Sequence, residues 1–194
     1  NEFYALLSRM RYITRWGLMR NTFSENIQEH SHMVAVLAHA LGVIRRDIFH
    51  EPCDVNALAT AALYHDASEI LTGDLPTPIK YHNAEIMSAY HAVEDLAVQK
   101  LLGMLPPELR ATYAGVLAED KNGDIYPLVK AADKLSAYIK CIEERKAGNN
   151  EFLSAEAQTR AALDASPLPE VQYFLEHFIP AFERDLDELG AIGQ

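Results

Sequence analysis

The sequence predicts an all-α fold, a single-domain bundle of about six to eight helices over residues 1–194. Apolar residues recur at spacings of three and four along nearly the whole chain, and no alternating pattern typical of strands stands out. The 194 residues, 49% of them hydrophobic, are enough to bury a substantial core. No repeat, low-complexity tract or linker divides the chain, so we expect one domain.

Residues that favour helix ends set the predicted boundaries. A first helix is expected over residues 3–15, and a second over 27–47, where Asn26 and Glu29 form a capping-box pattern. A glycine and two prolines predict a loop over residues 73–78. The remaining helices are expected at about 54–71, 83–104, 107–118, 125–147, 150–165 and 170–189, with a turn at 120–123.

Composition and charge exclude several classes of protein. The net charge of −11 argues against a partner such as DNA or RNA, whose phosphates require a surplus of Lys and Arg. The longest apolar run, residues 33–44, is shorter than the roughly 18 residues of a membrane span. Cys53 and Cys141 fit no metal or redox spacing, and no apolar leader is visible, so we expect a cytoplasmic protein.

Four side chains on three predicted helices combine into a candidate metal site: His30, the pair His65-Asp66, and Asp133. The later ones have apolar neighbours, and a carboxylate on an apolar helix face is costly unless something pairs with it. Two Asp and two His could share one divalent cation such as Mn, Fe, Co, Ni or Zn. Alternatively, Asp133 could pair with an Arg or Lys, and Asp120 or Asp124 could supply the last ligand.

These residues resemble the H…HD…D signature of the HD-domain metal phosphohydrolases. The similarity is closest to the bacterial 5′-deoxynucleotidases and covers residues 3 to 190. It rests on five motifs in the same order: Arg-Trp at 15–16, ENIQEHS at 25–31, HDASE at 65–69, TGDLPTP at 72–78 and AGNNEFL at 147–153.

The resemblance implies that His30, His65, Asp66 and Asp133 bind one divalent transition metal, which we expect to be Co, Mn, Zn, Ni or Fe. It makes Glu69 the catalytic carboxylate, as general base or acid. On a continuous helix Glu69 would share a face with His65 and Asp66, which lie four and three residues earlier.

The resemblance also implies a substrate, a deoxyribonucleoside 5′-monophosphate hydrolysed to deoxynucleoside and phosphate. Arg15 would orient the phosphate, and His30 and Asp133 would contact the substrate beside the metal. Trp16 would leave no space for a 2′-hydroxyl, Asp74 would accept from the 3′-hydroxyl, and the backbone of Leu75, Pro76 and Thr77 would contact the sugar. We expect broad base tolerance, and a homodimer as in similar proteins.

Two alternatives stay open at this point. An HD phosphohydrolase could act on another nucleotide, such as a guanosine polyphosphate or a cyclic nucleotide. However, Glu69 is followed by Ile70 rather than a second acid, and no motif surrounds His82 or His91, the histidines available for a second metal. A non-catalytic metal- or nucleotide-binding HD protein would not require Glu69.

Overall fold

The computed structural model describes residues 1–80, 82–118 and 123–190, and in these ranges the regular elements are helices. They are α1 (Phe3–Leu7), α2 (Ile27–Val43), α3 (Val55–Tyr64), α4 (Glu69–Thr72), α5 (Thr77–Lys80), α6 (Ala84–Gly103), α7 (Pro107–Leu117), α8 (Tyr126–Lys146), α9 (Leu153–Asp164), α10 (Pro169–His177) and α11 (Ile179–Phe182). The predicted all-α class is confirmed.

Two groups of buried apolar side chains form the core. The larger group packs α2, α3 and α8 together, with Leu41, Leu58 and Leu135 among its fully buried members. A smaller group joins α1 to α6 and α7 through Phe3 and Leu101. The segment from 62 to 67, which contains the His-Asp pair, begins in the larger group and ends in the smaller one. It is therefore held at both ends by apolar packing.

Several predicted boundaries were wrong. The first helix changes to a 3₁₀ turn at Ser8–Tyr12, and the predicted helix over 54–71 is interrupted by turns at 65–68. The loop predicted over 73–78 ends where α5 begins at Thr77, because a proline such as Pro78 is tolerated in the first turn of a helix. The last predicted helix breaks after His177, because Pro180 has no N–H and its ring opposes the carbonyl four residues earlier.

Part of the predicted turn at 120–123 lies outside the described residues, as does the alternative metal ligand Asp120. Among the described residues, no helix is both long and apolar enough to cross a membrane.

An irregular segment, which we call the N-terminal loop (residues 13–26), connects the 3₁₀ turn to α2. Its two ends pair through the Arg15 N–H, which donates to the Glu25 carbonyl at 2.9 Å, and the Ile27 N–H, which donates to the Ile13 carbonyl at 2.9 Å. At its far end, Asn26 caps α2 by accepting from the Glu29 N–H at 3.0 Å. The loop is thereby closed at its base.

The tip of the N-terminal loop is tied to α8 by a buried ion pair. Glu144, fully buried, accepts from the Thr22 N–H at 3.0 Å, from the Thr22 hydroxyl at 2.6 Å and from Asn149 at 2.8 Å. Lys140 donates to Glu144 and, at 2.8 Å, to the Phe23 carbonyl. Although burial raises the pKa of Glu144, these donors outweigh it and hold the pKa at about 2, against 4.5 ordinarily.

Replacing Glu144 by Gln should lower the free energy of unfolding at pH 7 by about 3 kcal/mol, because Lys140 then stays buried without its counter-charge. The carboxylate stabilises the fold above pH 4.5, and this contribution is lost as the pH falls towards 2. Urea unfolding at pH 6 and pH 3 should therefore show a smaller acid-induced loss in E144Q than in the wild type. Equal losses in the two proteins would contradict this account.

Candidate active site

The four candidate ligands converge where α2, α8 and the end of α3 meet. His30 comes from α2, Asp133 from α8, and His65 follows α3 directly; one ligand atom from each lies within 4.8 Å of the others. Asp133 Oδ1 is 3.0 Å from His30 Nε2. Asp66 Oδ2 lies 3.1 Å from His65 Nε2 and 3.6 Å from His30 Nε2. Residues up to 103 positions apart in the sequence thus form one cluster.

The chemistry of this cluster suits a divalent cation. The Nε2 atoms of His30 and His65 are buried and have no hydrogen bond of good geometry among the described residues. His65 Nδ1 lies 2.7 Å from the Ala62 carbonyl, and His30 Nδ1 lies 3.1 Å from Ser136 Oγ. The Ala62 carbonyl can only accept, so it favours the tautomer of His65 that leaves Nε2 free as a ligand. The nitrogen and carboxylate donors therefore fit a transition metal.

Neighbouring charges in the cluster lower the pKa values of its aspartates and raise that of His65. Burial alone would raise the pKa values of Asp66 and Asp133, but the adjacent imidazoles hold both well below their usual range. Burial alone would lower the pKa of His65, and the neighbouring carboxylates raise it instead. Both aspartates are therefore ionised at neutral pH, as metal ligands must be.

Glu69 lies beside the cluster and is buried, with 7% of its surface exposed. Glu69 begins α4 after the turn at 65–68, so the continuous helix assumed from the sequence is wrong. It nevertheless stays close to Asp66, because its N–H donates to the Asp66 carbonyl at 3.0 Å. Burial, together with the Asp66 and Asp74 carboxylates, raises the pKa of Glu69 to about 10. Its carboxyl group consequently carries a proton at neutral pH.

Arg15 and Trp16 border the cluster from the N-terminal loop. Arg15 Nη1 donates to Glu25 Oε2 at 2.7 Å and lies 2.7 Å from His30 Nδ1. Burial opposes the charge of Arg15, but Glu25 and the aspartates of the cluster raise its pKa. The Trp16 ring packs against Phe152 with ring centroids 5.3 Å apart.

The segment after α4 also faces the site. Gly73, with φ of 74°, donates to the Glu69 carbonyl at 2.8 Å and ends α4. Asp74 follows and is half-buried. Its pKa lies above its usual value, because burial and the Asp66 carboxylate raise it more than the Arg15 guanidinium lowers it. Asp74 therefore interacts electrostatically with both Asp66 and Arg15. Leu75 and Pro76 are half-buried, Thr77 begins α5, and the side chain of Thr77 lies outside the described ones.

Sequence reasoning missed two residues at this site, Glu25 and Ser136. Ser136 lies three positions after Asp133 on α8, so helical spacing could have indicated it. Glu25 was noted only within a motif, and no spacing rule links it to Arg15 or Trp16. Lys80, whose role the sequence leaves open, donates to Glu94 at 3.0 Å beside the Tyr90 ring. Asp124, the alternative ligand, is exposed.

Two histidines and two aspartates from α2, α8 and the turn that follows α3, with a buried carboxyl group beside them, define the class of HD-domain phosphohydrolases. Within that class, the chain belongs to the 5′-deoxynucleotidase YfbR-like family, whose model matches residues 2–182. The prediction made from the motifs is thereby confirmed.

Named relatives span nearly the whole chain. The 5′-deoxynucleotidase YfbR of Shigella flexneri is 50% identical over 191 residues, which cover 98% of this chain and 96% of that protein. The protein of the same name from Escherichia coli K12 is 49% identical over the same share of both chains.

Solved structures support the fold. An HD-domain phosphohydrolase from Listeria innocua superposes with a TM-score of 0.83 at 24% identity, covering 95% of this chain and 90% of that one. The cyanophage S-2L HD phosphohydrolase DatZ, bound to dA and one catalytic Zn²⁺ ion, has a TM-score of 0.58 at 25% identity, covering 95% and 96%.

One matched pair of variants tests whether Asp133 or Asp124 is the metal ligand that completes the cluster. Replacing Asp133 by Asn should weaken binding of Mn²⁺ or Co²⁺ by about 100-fold or more. Even the loss of a residue that only hydrogen-bonds to a metal ligand lowers metal affinity by about 10–100-fold. Replacing the exposed Asp124 by Asn should change binding little. Calorimetric titration of metal-stripped protein measures both. Tight binding retained by D133N would remove Asp133 from the ligand set.

Proposed function

We propose that this protein is a 5′-deoxynucleotidase that hydrolyses deoxyribonucleoside 5′-monophosphates to deoxynucleoside and phosphate. The observation that carries the proposal is 49–50% identity to 5′-deoxynucleotidase YfbR proteins over 98% of the chain. The buried cluster, with Arg15 and Trp16 at its border, gives that similarity a physical site. Activity on another nucleotide and a purely binding role are less well supported.

One divalent transition metal is proposed to be held by His30, His65, Asp66 and Asp133. The Nε2 atoms of both histidines are buried, the two aspartates are ionised and partly buried, and the four side chains lie close together. Such a cation supplies Lewis-acid activation of the phosphoryl group and of water. The ligand types fit Co, Mn, Zn, Ni or Fe alike, since affinity follows the Irving–Williams order while occupancy follows supply.

Glu69 is proposed to move the proton during hydrolysis. Its carboxyl group is protonated at neutral pH because burial and two neighbouring carboxylates raise its pKa to about 10. A protonated carboxyl group is a general acid, suited to protonate the 5′-oxygen as the P–O bond breaks. Glu69 Oε2 is buried without a hydrogen bond among the described residues, so no protein group competes for it.

Substrate recognition is proposed to use both sides of the cluster. Arg15 would orient the phosphate through paired N–H donors, and His30 and Asp133 would contact the substrate beside the metal. On the sugar, Trp16 would exclude a 2′-hydroxyl and Asp74 would accept from the 3′-hydroxyl. The backbone of Leu75, Pro76 and Thr77 would complete the contact, with no base-specific hydrogen bonds and hence broad base tolerance.

Assembly and location are proposed as well: one catalytic domain over residues 1–194, a homodimer, in the cytoplasm, with no membrane or nucleic-acid polymer as partner. Exposed apolar side chains on α3 and α6 support a second copy as neighbour, with Leu63, Val93 and Leu96 each more than 40% exposed. The free cysteines support a reducing compartment.

Phosphate release tests the reaction. Metal-stripped protein supplied with Mn²⁺ or Co²⁺ should release phosphate from all four deoxyribonucleoside 5′-monophosphates. E69Q should lose about 100-fold to 10,000-fold in kcat, the contribution typical of general acid–base catalysis, while binding metal normally. E85Q, changed at an exposed glutamate of α6, is the control. Stoichiometric metal binding without phosphate release in the wild type would favour the binding role instead.

Sugar discrimination tests Trp16 separately. Replacing Trp16 by Ala should lower the preference for dAMP over AMP, measured as the ratio of kcat/KM values, by up to about 100-fold, the discrimination typical for an added hydroxyl in an apolar contact. The metal site should be unaffected. A wild type that hydrolyses AMP as fast as dAMP would leave the reaction intact and remove the role proposed for Trp16.

A further inference from the structure

We propose that Glu25 is a positioning residue that fixes Arg15 and Trp16 relative to each other and thereby sets the selectivity for deoxyribose. This inference rests on the proposed function and adds to it a residue that contacts no substrate. Glu25 directly precedes the cap of α2, at the closed base of the N-terminal loop.

One carboxylate oxygen of Glu25 accepts hydrogen bonds from both Arg15 and Trp16. Glu25 Oε2 accepts from Arg15 Nη1 at 2.7 Å and from Trp16 Nε1 at 3.0 Å. The side chains of Glu25 and Arg15 are only 13% and 14% exposed, so solvent screens their interaction little. Because both donors share one acceptor atom, the guanidinium and the indole cannot reorient independently.

The contact leaves part of the guanidinium for a phosphate. Among the described residues, Arg15 approaches Glu25 and His30 through Nη1 alone. The Nη2 and Nε donors stay available, and donors held in a fixed plane recognise a phosphate by paired hydrogen bonds. Glu25 therefore sets the direction in which Arg15 presents its remaining donors.

The backbone of Trp16 shows that its placement is costly. Its φ is 60°, in the left-handed region that aromatic residues rarely adopt and that persists only where neighbouring contacts compensate the strain. The Nε1 hydrogen bond to Glu25 and the Phe152 ring hold its side chain, and its carbonyl accepts from the Met19 N–H at 2.9 Å. These contacts hold the indole next to Glu25 and the Arg15 guanidinium.

Closure of the loop does not depend on the Glu25 side chain. The base is paired through backbone groups, and the tip is bound by Glu144 and by Glu151, whose carboxylate accepts from the Arg20 N–H at 3.1 Å. The Glu25 carboxylate instead contacts the two residues assigned to phosphate and sugar. A positioning role explains this placement better than a role in folding.

Two conservative variants separate geometry from charge. E25Q keeps the side-chain length and one oxygen acceptor but removes the charge. E25D keeps the charge but shortens the side chain by one methylene, which moves the acceptor away from Arg15 and Trp16. We expect E25D to lower the dAMP-to-AMP ratio of kcat/KM about tenfold or more, since misplacing a positioning group by about 1 Å can cost up to 100-fold. E25Q should stay within about threefold of the wild type.

Fluorescence gives a readout that requires no turnover. Trp16 is the sole tryptophan, so the emission spectrum reports on its indole alone. E25D should shift the emission maximum relative to the wild type, whereas E25Q should not. E151Q, which removes an ion pair of the same loop without touching Arg15 or Trp16, is the matched control and should behave as wild type in both assays.

The outcomes separate the two proposals. Wild-type emission and selectivity in E25D would overturn the positioning role, and so would an E25Q variant as impaired as E25D, because charge rather than geometry would then decide. If the wild type releases no phosphate from any nucleotide, the proposed function fails. The emission spectra of E25D, E25Q and E151Q still decide whether Glu25 positions the indole.

Discussion

The packing of two ionised, partly buried aspartates against two imidazoles is the constraint on which the rest of the structure depends. Asp66 and Asp133 lie within 3.6 Å of His30 or His65, and removing carboxylates from water is costly unless positive charge and donors surround them. The helices that carry or directly precede these residues, α2, α3 and α8, are those that form the main apolar core. Packing therefore provides the energy that holds the polar cluster together, and a bound cation would relieve the remaining cost.

The N-terminal loop is held differently, by polar contacts rather than by apolar packing. Its tip depends on a buried carboxylate, Glu144, which receives donors from the loop, from α8 and from Asn149. Its base uses backbone pairing next to the cap of α2. Directional hydrogen bonds define a geometry more narrowly than apolar contacts do. This suits a segment that carries Arg15 and Trp16, the residues proposed to contact the substrate.

The sequence predicted the helical class and most long helices because apolar periodicity and capping residues are local signals. Asn26 caps α2 as expected, and Asn83 caps α6 at the start of the predicted helix over 83–104. The break at 65–68 was missed because the apolar spacing continues through it. The metal, catalytic and substrate roles came from motif similarity, and those roles stay predictions. Glu25 was missed because its contacts to Arg15 and Trp16 arise from the loop conformation, which no periodicity encodes.

The charges of the site explain why selectivity must come from geometry. Two ionised aspartates would offset the two charges of a divalent cation, so Arg15 is the main further attraction proposed for a phosphate. Glu25 offsets part of that charge. A site with so little net positive charge cannot hold its substrate by long-range attraction alone. In the proposed mode of binding, selectivity comes from the orientation of paired donors and from the fit of the sugar, and both depend on how Arg15 and Trp16 are placed.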